Sequence, residues 1–192
     1  MAQNAEQIKV AANGGLYIAR FDDNPTLPEN SSDPLDSIFN DVGYFGDDGV
    51  TFNKSEEKEE IRVWQSPTAV DEIVTSRDFS AGGSLMQWNR DTVSVAFGGG
   101  EWSEPEPGEY RFDPPADYDP LTKWVGVLET IAGDRVDRWV IKRGTFTGDI
   151  ETQAVRNAAM ALPVTLSALT PQGDTRPWYY LSNDPAFAGA GS

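Results

Sequence analysis

The sequence predicts a mainly β protein, an antiparallel β-sandwich or barrel with one short α-helix packed on it. Three observations carry this. About ten short runs are rich in Val, Ile, Thr, Trp, Tyr and Phe and are bounded by Gly, Pro, Asn and Asp. Only WNRDTVSVAFGGG, from Trp88 to Gly100, has both the start and stop signals of a helix. The connections between runs include tight ones, such as Ala132-Gly133-Asp134, with the Gly that a hairpin wants.

In chain order, GGLYIARF gives an early strand. EIRVWQS and AVDEIVTS are β-rich runs separated by Pro67. In the helix, Asn89 is the N-cap, Asp91 places a negative charge in the first turn, and Trp88 and Val93 form a hydrophobic staple. Val93, Ala96 and Phe97 make one apolar stripe, and Gly98 takes the left-handed position that ends a helix. A phosphate cradle needs its glycines before the helix, and here they follow it, so the triplet is a stop signal. KWVGVLETI and RVDRWVIKR form a hairpin. GTFTGDI puts Phe146 and Ile150 on one face, LPVTLSALT supplies Val164, Leu166 and Ala168, and PWYYL is a late strand. ETQAVRNAAMA has a weak helical stripe.

Length suits a single domain over residues 1–192. The chain has no Cys and no His, which removes disulfides, thiolate and imidazole metal sites, and imidazole catalysis. The opening MAQNAEQIKVAANGG lacks the basic and apolar regions of a signal peptide and no stretch approaches a membrane span, so a soluble, cytoplasmically made protein without membrane contact is expected.

The net charge of −16 is regional. Residues 21–60 hold twelve acids and two lysines, residues 101–119 hold seven acids and Arg111, and the rest is neutral in sum. Such a surface repels nucleic acid. Both segments are dense in Pro, Asn, Asp and Ser and read as loops: a long one over 21–48 and an acidic Pro-rich one over 101–120, with a flexible tail over 186–192. Residues 22–48 and a turn over 54–60 are expected to be mobile in the monomer and ordered on assembly.

The strings LPENSSDPLDSIFNDVGYFGDDGVTF, EEIRVWQS and IVTSRDFSAGGSLMQWNRDTVSVAFGGG carry a resemblance. Val42-Gly43-Tyr44 followed by Asp48-Gly49-Val50, and Trp64-Gln65-Ser66 ahead of Asn89-Arg90-Asp91, are specific in combination. From Leu16 to Gly100, and more loosely to Tyr180, the chain resembles the major tail protein, or tail tube protein, of long-tailed bacteriophages, particularly those of actinobacterial hosts. The resemblance implies a tail-tube-like fold, hexameric rings stacked into a tube that conducts DNA, and a β-barrel around the lumen to which each protomer lends strands. It implies a helix on the outer side and a long 21–48 loop reaching a neighbouring ring. It further implies a virion-tail location after a period in the host cytoplasm. The implied partners are other copies of the chain, a tape measure protein in the lumen, and tail terminator and distal tail proteins. DNA passes without specific binding, and no enzyme activity or cofactor is implied.

Inter-subunit contact candidates are the apolar anchors Leu27, Leu35, Ile38 and Phe39, the acids Asp22, Asp23 and Asp33, and a basic ribbon of Arg135, Arg138, Lys142 and Arg143. The ribbon either meets a neighbour's acidic loop or balances acids within its own sheet; both readings stand at this stage. Helix packing is assigned to Trp88, Asn89, Val93, Phe97 and Gly98. An alternative is a carbohydrate-binding or adhesive β-sandwich, because six Trp and six Tyr offer stacking platforms, although their alternation within strands suits core packing better. A two-carboxylate glycosidase is a third class, with Glu129 as the one acid set in an apolar run. The acid-rich loops lack the spacing of an EF-hand.

Overall fold

A computed structural model describes residues 8–11 and 13–188. Among these are ten strands and one α-helix: β1 (Asn13–Arg20), β2 (Asn40–Asp41), β3 (Phe45–Ile61), β4 (Asp71–Leu85), α1 (Arg90–Ala96), β5 (Glu101–Glu106), β6 (Glu109–Asp113), β7 (Trp124–Ala132), β8 (Arg135–Thr147), β9 (Leu162–Ala168) and β10 (Trp178–Ser182). The mainly β, antiparallel architecture with one helix is as the sequence predicts.

Eight strands form one sheet in the order β2-β1-β7-β8-β9-β4-β3, with β10 joined to β8. All pairs are antiparallel, and among the described residues β2, β3 and β10 each keep an open edge, so the sheet is not closed into a barrel. The thirteen-residue β8 organises it. One edge pairs with β7 from Arg135 to Gly144, while the other gives Asp137–Ile141 to β10 and Gly144–Thr147 to β9.

Period-2 alternation fills both faces of β1, β7 and β8. Leu16, Ile18, Trp124, Leu128 and Ile141 point into one core with Leu85, Val95, Leu162 and Leu166; Ala19, Val125, Val127 and Val140 point into a second with Phe39. The sheet curls so that β9 comes over the middle of β7, where Leu166 occupies the space above Gly126. A Cβ there would lie 2.3 Å from Leu166 Cδ2, so a larger residue would push the Leu166 side chain out of this place in the core. The β7–β8 turn is two residues, Gly133-Asp134, with Gly133 at φ +64.

In α1, the Asn89 side chain accepts from Thr92 N at 2.9 Å and Thr92 Oγ1 accepts from Asn89 N at 2.9 Å, a reciprocal cap worth about 1 kcal/mol. Gly98 at φ +80 ends it. The face buried in the core differs from the expected stripe. Thr92, Ser94 and Val95 are buried, whereas Val93 is half-buried and Phe97 is 44% exposed. Phe97 turns instead toward Phe112 of β6, at 6.2 Å between ring centroids.

Six further sequence expectations change. Residues 54–60 are the distal half of β3 and not a turn. EIRVWQS ends β3 and then forms the 62–70 tip loop. The acidic 101–120 stretch contains the β5–β6 hairpin, which tolerates Pro105 because it sits at a register irregularity between Ser103 and Glu106. ETQAVRNAAMA is irregular. The 21–48 segment is a loop only in its middle, between a single turn of 3-10 helix at Phe21–Asp23 and the short β2. The expected 186–192 tail begins in another such turn, Pro185–Phe187, and its last four residues lie outside the described residues.

Candidate self-assembly surface

The basic ribbon of β8 is engaged within its own chain. The two-residue turn sets Arg138 directly opposite Glu129, and Arg138 Nε donates to Glu129 Oε2 at 2.6 Å with both side chains buried. The same guanidinium donates from Nη1 to the carbonyls of Asn30 (3.1 Å) and Asp33 (2.7 Å). Arg138 therefore clamps the acidic loop through its backbone. Glu129 has an ionic and structural task here, as the partner that makes a buried arginine tolerable.

Other ties hold that loop. Tyr179 donates its hydroxyl to Pro28 O at 2.7 Å, and burial, with the nearby Glu29 charge, pushes its phenol up to about 12. Asp36 accepts from Thr26 N and Ile38 N, which lower its carboxyl below the ordinary value. Leu27, Leu35 and Phe39 pack on the second core, leaving Ile38 as the exposed member of the four apolar anchors. Asp22 and Asp23 are exposed in their turn, while the Asp33 carboxylate accepts from Asn30 Nδ2.

Lys142 Nζ donates to Asp174 Oδ2 at 2.5 Å, and this bond, with the N–H groups of Arg176 and Thr175, lowers the Asp174 carboxyl to about 2. A carboxyl depressed on folding stabilises fully above its unfolded value of about 3.9 and loses that contribution as pH falls through its folded value. An NMR titration should place the Asp174 midpoint near 2, and Lys142→Ala should return it toward the ordinary range. A parent midpoint near 4 would contradict the geometry. Arg143 stacks over Phe21 at 5.5 Å, and Arg135 lies 3.7 Å from Asp184 Oδ2.

Lys9, outside every sequence assignment, donates to Asp137 Oδ2 (2.7 Å) and Tyr180 Oη (2.8 Å) and sits over the Phe187 ring. Burial opposes the charged form of Asp137, but bonds from Lys9, Ser182 and Tyr180 outweigh it and lower the carboxyl. The segment is thus tied to the β8–β10 ladder by one cation, with Ile8 and Val10 exposed on either side.

Three features remain uncommitted. The outer edge of β3 pairs with no strand among the described residues over seventeen residues. Beyond Lys54 and Phe79 the β3–β4 ladder runs on as an exposed arm, roughly 25 Å long at about 3.4 Å per residue. The arm's tip and a groove beside α1 are aromatic and open. Trp124, Trp139 and Trp178 pack in or against the first core and Trp102 stacks with Phe112, so core packing accounts for most of the indoles, whereas Trp64 and Trp88 are exposed. No group of three or more metal-binding side chains occurs among the described residues, and no helix there is long and apolar enough to cross a membrane.

A β-rich chain whose basic β8 ribbon is engaged within its own sheet, and whose free surfaces include a strand edge and apolar knobs, has the features of a self-assembling structural protein. The family model described as phage tail tube protein matches residues 1–191, and the chain belongs to that family. It is a structural tail protein of a bacteriophage, located in the virion tail, and its family builds the tail tube by self-assembly. No individual curated protein matches it.

Proposed function

We propose that six copies form a ring and that rings stack into the tube through which DNA leaves the capsid. The observation that carries this is the seventeen-residue outer edge of β3, which no strand among the described residues pairs, in a chain of a tube-forming family. A long unpaired edge is a template for another strand, and here Asp47, Asp48, Glu56, Glu57, Glu59 and Glu60 keep it from pairing promiscuously while a registered neighbour can still add to it. Strands shared in this way close a barrel around a lumen. The acidic excess suits a wall past which a duplex with about one charge per 1.7 Å slides without sticking, because carboxylates release no counterions from DNA.

In this reading the chain is made in the host cytoplasm, assembles around a tape measure protein, and meets terminator and distal tail proteins at the tube's two ends. Loop 21–48 contributes to ring stacking through its exposed acids and Ile38. The work is mechanical and needs no cofactor or catalytic group. Sedimentation velocity tests it: the purified chain should pass from a 21.0 kDa species to ring-sized and larger particles as concentration rises. A single species independent of concentration would overturn it.

A further inference from the structure

Two apolar features are left uncovered among the described residues, and they complement each other. The first is the tip of the β3–β4 arm, where Trp64 is 98% exposed beside Val63 and Val70. Ile61 and Ile73 extend this apolar surface down one face of the ladder, since Ile61 pairs with Asp71 and Ile73 with Glu59, two steps along. The second is an open groove of about 560 Å³ between the start of α1 and the β5–β6 hairpin, lined by Trp88, Asn89, Arg90, Val93, Trp102 and Tyr110.

We propose that the arm tip of one copy docks in this groove on a second copy of the chain, with Trp64 as the knob; the inference rests on the tube reading above. Exposing a bare indole on a projecting arm serves nothing inside the monomer, while aromatic anchors seated in aromatic pockets dominate protein interfaces. The groove accommodates a large ring and offers the edges and faces of two indoles and a phenol. Charge agrees. Arg90 is the one charged side chain lining the groove, it stacks over Trp102 at 5.7 Å and it makes no ion pair among the described residues. The tip brings Glu59 and Asp71, which also lack a cation partner there, on the same face as Ile61 and Ile73. Knob and groove are different surfaces, so each contact leaves a free knob at one end and a free groove at the other. A contact of this head-to-tail kind propagates without closing a pair, as a growing tube requires.

The chain has no cysteine, which makes a crosslinking test clean. Gln65→Cys and Glu109→Cys flank knob and groove at exposed positions and leave both intact. Tubes grown from an equal mixture of the two variants and treated with a short bismaleimide should give covalent dimers joining one variant to the other. Trp64→Ala, with an unchanged circular dichroism spectrum and melting temperature, should raise the concentration needed for assembly at least tenfold. Absence of the mixed crosslink in tubes that have formed, or assembly of Trp64→Ala at the parent concentration, overturns the inference and leaves the tube reading standing. A parent chain that never assembles removes the tube reading, and this inference with it.

Discussion

Arg138→Met should lower the unfolding free energy by about 3–5 kcal/mol, because it strands the Glu129 carboxylate in a buried site and frees the backbone of Asn30 and Asp33 in one step. For a chain of this size that corresponds to a melting temperature lower by on the order of 10 °C. Adding Glu129→Leu should recover most of the loss, since the buried charge is then gone and an apolar pair of similar volume replaces it. The 24–39 loop, no longer clamped, should become sensitive to protease in both variants. Equal stability of parent and Arg138→Met in urea would contradict the clamp. A double variant no better than the single would show that the carbonyl bonds, and not Glu129, carry the effect.

Leu85→Ala should cost about 2–5 kcal/mol. Leu85 is fully buried at the end of β4 farthest from the arm, paired with Leu162 on β9 and with Phe45 on β3, so it sits at the junction where the body end of the β3–β4 ladder joins β9. Its removal leaves a cavity between rigid strands that cannot close over it. Thermal unfolding measures the loss, and hydrogen exchange should show β3, β4 and β9 loosening ahead of β1 and β7. A cost below 1 kcal/mol would mean that this junction is loosely packed.

The parts of the fold that were legible carry local chemical signals. Asn89 and Gly98 bracket α1, Gly133-Asp134 marks the β7–β8 turn, and the alternation of β1 and β9 gives their faces. The arm was not legible, because KSEEKEEI meets water on both faces and has no hydrophobic period. Its strand state comes from cross-strand pairing with β4, a non-local term. Prolines hid the β5–β6 hairpin for a related reason: an exposed two-stranded ladder with an irregular register has places for them. Of the α1 stripe Val93, Ala96 and Phe97, Ala96 packs on the core beside the buried Val95, while Phe97 turns to Phe112 of the β5–β6 hairpin, a second partner that the local sequence pattern does not reveal.

The charged residues were the least legible. A basic run such as Arg135–Arg143 reads as surface, yet Arg138 is among the buried residues. The signal that finds it is register: counting back from the two-residue turn puts Glu129, the one acid in an apolar run, directly opposite. Trp64 escaped for the opposite reason. An indole in a β-rich stretch reads as core, and only the three-dimensional arm shows that nothing among the described residues covers it.

Electron microscopy of the purified chain at rising concentration tests the central claim most directly. Rings with an open centre and six-fold symmetry that stack into tubes of constant width, without added cofactor, are the expected result. Discrete particles of single-chain size at the highest attainable concentration would contradict it.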